Sequence, residues 1–475
     1  MKNPRRRAEY RAAIRTEWKR ANKAIPMKLL KIGISGVRGI VGESVTPKLV
    51  LDFASAFGAF VDGKPVILGR DTRIHGPMLR AACVSALLAA GSDVLDLGVC
   101  PTPILQKAVR ELRAGGGLSI TAGHNDIQWN ALTFIGPEGA YLNPFQGAEM
   151  LDLYHLGRFR SADTDNLGRL ETDPGAAARY FAALAAFLDV EAVRRARFKV
   201  VIDACAGAGA PYLRSFADAL GFDLIPLNDE PYGFFPHDPE PRPRNAQQTV
   251  SIVKVIGADA GFLLNSDVGR VSLVSERGES LSEEFTFPLV ADAYLTRRCG
   301  TVVTNYSTSR MIEDVARARR CPLVRTKVGQ SHAIHALLLE SAVLAGEGSG
   351  GVAIPDFQPA FDGFLTMGFI LETLARTGKR LSALIGDLPR YHIVKEKIYC
   401  PPSRIHSVVD EVKALLGGQA VDTGDGWRVE DRSGWVQVRM SGTEPMVRII
   451  VEDRSRERAR TKADRVLHEL ESLAR

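Results

Sequence analysis

The sequence predicts an α/β protein made of similar layered α/β domains followed by a smaller α+β domain at the C-terminal end. Three observations lead there. Three times a short apolar run enters a glycine- or serine-containing turn and then a helix-like stretch: Pro65–Gly69 before Arg70–Gly76, Lys199–Ile202 before Asp203–Gly209, and Thr301–Val303 before Asn305–Arg310. The last part reads differently, because Trp435–Arg439 and Val447–Val451 alternate like paired strands and a charged amphipathic helix follows from about Arg454. A chain of 475 residues also exceeds the roughly 250–300 residues at which one core stops growing, so several cores are expected.

Taken in order, the expected organisation is a basic N-terminal extension over 1–26 and domains over 27–180, 181–283, 284–395 and 396–475. The joints are expected near residue 180, near Glu283 and near the Pro401-Pro402 pair. Residues 1–26 carry nine Lys/Arg against Glu9 and Glu17. Met27, directly before the strand-like Lys28–Ile34, is read as the true start, with the residues before it an artefact of gene calling; an adaptable helix for an anionic surface is the other reading of the extension.

Composition excludes several function classes. The net charge of +6 disappears once the extension is set aside, leaving 52 basic against 53 acidic residues, so the folded body has no surplus of positive charge for nucleic acid. No apolar run reaches the length of a membrane-spanning helix, and the first residues are charged where a signal peptide is apolar; the chain is read as cytoplasmic. The six cysteines are scattered without a CxxC pair, so they are expected to be reduced and mostly buried, with no disulfide scaffold and no cysteine zinc site. No GxGxxG follows a strand with an acidic residue about 20 positions on, which removes a dinucleotide reading.

The strongest local signal is Arg439-Met440-Ser441-Gly442-Thr443-Glu444-Pro445-Met446-Val447-Arg448, a turn between two strands that offers hydroxyls, backbone N–H groups and two guanidinium forks. Such a nest suits a dianionic phosphate, with Arg439, Ser441, Gly442, Thr443 and Arg448 as the binding residues. This segment resembles the phosphate-binding loop of the α-D-phosphohexomutases, the phosphoglucomutase, phosphomannomutase and phosphoglucosamine mutase enzymes, and the resemblance runs from about Lys31 to the end. Gly33-Ile34-Ser35-Gly36-Val37-Arg38-Gly39 is similar to the opening loop of that family, with Arg38 as a catalytic candidate, and Gly69-Arg70-Asp71-Thr72-Arg73 to its next signature. Gly346-Glu347-Gly348-Ser349-Gly350-Gly351 resembles its sugar-recognition loop, where Glu347 and Ser349 would meet sugar hydroxyls. The resemblance implies three similar layered α/β domains plus a smaller C-terminal α+β domain around a central cleft, a hexose phosphate as ligand, Mg²⁺ as cofactor and pairing through the first domain.

Family chemistry uses a phosphoserine, and here the chain departs. Where the family reads TASHNP, this sequence has Thr121-Ala122-Gly123-His124-Asn125-Asp126, so Gly123 occupies the nucleophile's position. The family's following lysine corresponds to Thr133, before Phe134. The metal motif DxDxDR becomes Asn265-Ser266-Asp267-Val268-Gly269-Arg270, leaving Asp267 as the carboxylate and Asn265 as a neutral donor, a weak set for Mg²⁺. Phe361 stands where an arginine is expected before Asp362, and Gln330-Ser331-His332 replaces an acidic position.

These residues lead to three readings. The first is a phosphosugar-binding protein of this family with mutase activity lost or strongly impaired. The second is a phosphoglucosamine, phosphomannose or phosphoglucose mutase with an altered mechanism, for which His124 is the candidate acceptor, because a neutral imidazole is nucleophilic near neutral pH; the plainer role for His124 is a loop-ordering hydrogen bond. The third is a regulatory partner of an active paralogue.

Overall fold

The parallel strands of this chain read as uninterrupted apolar runs because both faces of their sheets are covered by helices. The computed structural model describes residues 30–400, 421–440 and 446–474, and the expectations for the extension 1–26, the Pro401-Pro402 joint, Ser441, Gly442 and Thr443 lie outside them. The first sheet contains β1 (Leu30–Gly33), β2 (Gly36–Ile40), β3 (Val66–Arg70), β4 (Val94–Val99), β5 (Gly116–Ile120), β6 (Trp129–Ile135) and β7 (Leu170–Thr172), in the order β1-β2-β6-β5-β3-β4-β7. The second contains β8 (Lys199–Asp203), β9 (Asp223–Leu227), β10 (Ala260–Leu264) and β11 (Val271–Ser275), ordered β11-β10-β8-β9. The third has β12 (Val302–Asn305), β13 (Leu323–Thr326), β14 (Leu344–Glu347) and β15 (Gly351–Ala353), ordered β13-β12-β14-β15.

The second and third sheets share one plan: parallel strands at one side and an antiparallel hairpin at the other, β10/β11 and β14/β15. Each hairpin carries a loop that the sequence had singled out. The fourth sheet is antiparallel throughout, with β16 (His392–Tyr399), β17 (Val421–Asp422), β18 (Trp427–Glu430), β19 (Gly434–Met440) and β20 (Met446–Asp453) in the order β16-β20-β19-β18-β17. Val436, Val438, Val447, Ile449 and Val451 point from it to one side, where Ala463, Val466 and Leu470 of the helix Arg456–Ala474 cover them. This is the α/β architecture with a smaller α+β end that the sequence predicts.

One hydrophobic core runs through the first three domains. Its centre is the helix Gly363–Thr377, buried from Gly363 to Leu374, against which Tyr180, Phe181, Phe216 and Leu220 pack. The joint expected near residue 180 therefore falls inside a helix, Ala176–Phe187, with Tyr180 fully buried. Asp362 caps the long helix by accepting from the Leu365 N–H at 3.0 Å, and also accepts from the Tyr180 hydroxyl at 2.7 Å and the Gln358 amide at 2.6 Å. Gln358 in turn donates to Pro103 O at 3.2 Å, so this carboxylate links segments of the first and third domains. Burial pushes the Asp362 carboxyl up to about 6, against the hydrogen bonds it receives.

One expectation is corrected. Cys299 and Cys321 are not reduced thiols: a disulfide joins them, with Cα atoms 5.8 Å apart, because the helix Met311–Ala318 and its following turn bring the chain back beside its start. A separation of 22 residues carries no local signature. Cys83, Cys100, Cys205 and Cys400 lie outside the disulfide and are buried as expected. Phe361, which stands where an arginine is expected, is buried among Val303, Ala345 and Ala353.

Asp362→Ala removes a helix cap and the acceptor of two buried donors, and should lower stability by about 2–4 kcal/mol in urea unfolding. Asp362→Asn keeps an acceptor for the cap and should cost less than half as much.

Candidate functional site

The four sheets converge on one cavity of about 540 Å³, within the range of about 300–1,000 Å³ usual for small-molecule sites. Loops from every domain reach it, and they include Gly123, Asp267, Glu347 and Arg448. Arg38, His124, Asn265, Ser349 and Arg439 also line it, as do Thr133 and the Gln330-Ser331-His332 stretch. The described residues singled out as candidate site residues are thus brought together.

The Gly123 loop follows β5 and is held from below. Thr121 donates its hydroxyl to Asp71 at 2.6 Å and accepts from the Gly123 N–H at 3.0 Å. The Gly123 carbonyl accepts from Ser266 Oγ at 2.6 Å and from the Arg73 guanidinium at 3.3 Å. Arg73 is itself fully buried and paired with Asp71. The Gly69-Arg70-Asp71-Thr72-Arg73 signature therefore works as scaffold, and Ser266, between the two candidate metal residues, is part of it. Gly123 has φ +54°, the left-handed region, and a Cβ built there would lie 3.2 Å from Asp267 Oδ2. A side chain at 123 would point at the Asp267 loop, and the backbone conformation there favours glycine.

His124 is half-buried. Burial, together with the guanidinium charges of Arg270, Arg38, Arg448 and Arg242, pushes its imidazole well below the usual value, so it is neutral at pH 7. Thr133 lies on β6 opposite Gly36 and Ser119, facing the cavity, while Phe134 turns into the core as strand alternation requires.

The residues at the 265–270 loop do not fit Mg²⁺. Asp267 Oδ1 already accepts from the Asn265 amide at 2.5 Å and from the Gly269 N–H at 3.2 Å, and Asn265 Oδ1 accepts from the Arg270 N–H at 3.0 Å. Those bonds fix the Asn265 amide with its nitrogen toward Asp267, so its oxygen is turned away from the carboxylate it would share a metal with. One carboxylate oxygen is left, where Mg²⁺ calls for near-octahedral hard oxygens. Among the described residues no group of three or more His, Cys, Asp or Glu could hold a metal.

On the facing wall, β14 ends in Glu347, whose Oε1 accepts from the Gly329 N–H at 3.0 Å while Ser349 Oγ lies 3.4 Å from Oε2. Gly348 is required because a Cβ there would run into the Glu284 carboxylate. Lys395 of β16 reaches across to Glu283 and Glu284, both at 2.8 Å, and to the Gly348 carbonyl at 3.3 Å. Burial, opposed by Lys395 and reinforced by Glu283, pushes Glu284 up to about 7. Sequence reasoning missed this Lys395 cluster, because its members are more than 100 residues apart and form no motif. Arg439 and Arg448 face each other across β19 and β20, and Arg439 pairs with Asp425 at 3.2 Å.

The chain matches the family descriptions "Phosphoglucomutase/phosphomannomutase, alpha/beta/alpha" domain I over residues 29–159, domain II over 178–278 and domain III over 283–391, and the corresponding C-terminal domain over 395–469. It is 38% identical over 437 residues to a phosphoglucomutase/phosphomannomutase of Thermococcus kodakarensis, covering 90% of this chain and 95% of that one. It is 36% identical to a probable phosphoglucosamine mutase of Methanopyrus kandleri, covering 91% and 96%. A crystal structure of a phosphoglucomutase/phosphomannomutase family protein from Burkholderia thailandensis superposes with a TM-score of 0.80 at 26% identity, covering 94% of this chain and 97% of the other. A more distant fold match, TM-score 0.54 at 16% identity over 85% of this chain and 81% of the other, is the N-acetylphosphoglucosamine mutase of Aspergillus fumigatus in complex with GlcNAc-6P and magnesium. With one cavity drawn from all four domains and matches that span nearly the whole chain, the protein belongs to the phosphoglucomutase/phosphomannomutase family, the α-D-phosphohexomutase superfamily.

Proposed function

We propose that this chain binds a hexose phosphate in the central cavity and that its mutase activity is lost or strongly impaired. The observation that carries this reading is Gly123, which has a left-handed backbone and no side-chain atom to accept a phosphoryl group. Removing the nucleophile of a covalent mechanism costs on the order of 10⁵–10⁶ in turnover, roughly 8 kcal/mol of barrier. Thr133 supplies no cation beside it, and the Asp267 loop is closed on itself. The names of the relatives, which cover glucose, mannose and glucosamine phosphates, support a hexose phosphate as the ligand class.

In this reading the phosphate is bound by Arg439, Ser441, Gly442, Thr443 and Arg448, and Glu347 and Ser349 accept from sugar hydroxyls. The Glu347 carboxylate is already turned by the Gly329 N–H, so it meets the sugar without losing rotamer freedom on binding. Gly123 then offers the sugar's free hydroxyl no side chain to give or take a phosphoryl group. His124, although neutral, keeps its place as the acceptor of the competing reading, an active mutase with an altered mechanism.

Intact-mass measurement after incubation with glucose 1,6-bisphosphate should find no phosphoryl adduct. An adduct that vanishes in His124→Ala would overturn the proposal in favour of a histidine-based mutase. Arg448→Ala should weaken glucose 1-phosphate binding by about 1.5–3 kcal/mol in calorimetry, the worth of a charge-assisted contact; unchanged affinity would remove the phosphate assignment. Millimolar Mg²⁺ alone should leave the thermal midpoint nearly unmoved, whereas saturable stabilisation at micromolar Mg²⁺ would contradict the closed Asp267 loop.

A further inference from the structure

The disulfide between Cys299 and Cys321 closes a loop whose contents reach the cavity. The segment between them holds β12, the helix Met311–Ala318 and the 305–310 turn that joins the two. Asn305 and Ser307 of that turn line the cavity. Thr308 Oγ accepts from the Gly348 N–H at 3.1 Å, and the Ser309 N–H donates to Glu284 at 3.1 Å, so the turn braces the 347–350 loop. The Arg310 N–H donates to Glu452 at 2.9 Å. Its guanidinium donates to the Asp431 carbonyl at 2.9 Å and to Glu430 at 3.0 Å, which ties the same turn to the fourth domain.

The two half-cystines differ in access, since Cys299 is exposed and Cys321 is buried. Both sulfurs lie against the C-terminal end of the Met311–Ala318 helix, with Cys321 Sγ 3.3 Å from Arg319 O and Cys299 Sγ 3.8 Å from Arg319 O and Arg320 O. Those carbonyls are in place to accept from two thiols, so an opened form finds its hydrogen bonds where the closed form leaves them. The turn between helix and β13 is strained: Arg320 has φ +56°, a conformation that a residue with a Cβ takes at a cost, and the sulfur bond on the next residue holds it. Four arginines flank the pair. Arg297 pairs with Glu372 at 2.9 Å, Arg319 with Asp292 at 2.7 Å and Arg298 with Asp356, and the exposed Arg320 adds a fourth cation. A thiolate on a small molecule that also bears carboxylates is drawn to such a surface.

We propose that Cys299–Cys321 is a reversible thiol–disulfide exchange site for a small anionic thiol, and that opening it loosens the 305–310 turn and weakens ligand binding in the cavity. The incoming thiolate attacks Sγ of the exposed Cys299; the Cys299–Cys321 bond breaks, and its electron pair leaves on Cys321 Sγ, which takes a proton from water. A second thiolate attacks the sulfur of the attached small molecule, releasing Cys299 as a thiolate that is then protonated. The protein gains two electrons, and the two small thiols leave as their own disulfide. Opening restores the chain freedom that the cross-link removes from the segment holding the turn. The exchange site stands apart from the proposed phosphosugar reading, and only its effect on affinity rests on that reading.

The test equilibrates the folded full chain in mixtures of reduced and oxidised glutathione, blocks open thiols by alkylation, and reads intact mass and peptide maps. Reduced glutathione should expose Cys299 and Cys321 without denaturant, oxidised glutathione should close them again, and the buried Cys83, Cys100, Cys205 and Cys400 should stay unmodified throughout. Opening should lower the thermal midpoint by about 5–10 °C and weaken glucose 1-phosphate binding about 3- to 10-fold, the equivalent of one more side chain to be ordered on binding. Hydrogen exchange over 305–310 should quicken at the same time. Cys321→Ser should carry a single glutathione adduct on Cys299. A bond that glutathione opens only in denaturant would overturn the proposal, as would opening that leaves both the affinity and the exchange over 305–310 unchanged. If glucose 1-phosphate binds neither form, the phosphosugar reading fails, and quickened or unchanged exchange over 305–310 still decides for or against the switch. The redox series on the unaltered protein settles the matter even if the serine variant does not fold.

Discussion

The buried pair of Asp71 and Arg73 is the constraint from which the cleft's geometry follows. Both side chains are sealed from solvent, and an isolated pair in that position would cost more in desolvation than it returns. It persists because nearly every remaining donor and acceptor is taken. Asp71 accepts from Thr121 and Ser266, and Arg73 donates to Ser266 and to the Gly123 and Asn125 carbonyls while lying over the Phe235 ring at 4.8 Å from its centre. Two loops from two domains, one bearing Gly123 and the other Asp267, are thereby locked to a single point. The Thr72 hydroxyl adds a third attachment through its 2.7 Å bond to the Ala206 carbonyl.

This scaffold does not depend on a nucleophile or a metal. It organises the Gly123 carbonyl, not a side chain, and it uses Ser266, not Asn265 or Asp267. The residues that hold the loops, Asp71, Arg73, Thr121 and Ser266, are distinct from Gly123, Thr133, Asn265 and Gly269, where the sequence departs from the family motifs. The proposed reading rests on that separation, since binding needs fixed donors while phosphoryl transfer needs an acceptor atom as well.

The far wall is built on the same physical logic with different parts. Lys395, brought by the fourth domain, pairs with Glu283 and Glu284 beneath the Gly348 backbone, so the Glu347–Gly350 loop is fixed by an ion cluster that the fourth domain completes. The Val328 N–H donating to Asp425 at 3.0 Å and the Ser307 hydroxyl donating to Gln437 at 2.7 Å bind the third and fourth domains along the same edge. The cavity is therefore a product of all four domains, lined by guanidinium groups from the first, second and fourth.

Much of this was legible in the chain itself. Strand and turn periodicity gave the layered domains, since a strand covered on both faces must be apolar throughout and a half-covered one must alternate. Short motifs located Gly123, the Asp267 loop, Glu347 and the Arg439–Arg448 hairpin, because contiguous residues in one turn already carry their chemistry. Hidden from the sequence were the interactions between distant segments: the role of Arg73 and Ser266 as supports, the Lys395 cluster, the Cys299–Cys321 disulfide, and the burial that makes Phe361 a core residue. A side chain's partner across a domain boundary is fixed by packing of whole sheets and leaves no periodic trace. What the sequence by itself determined is which chemical groups the loops carry and which they lack; only the tertiary structure decided which of them meet, because charge compensation and burial are properties of neighbours in space.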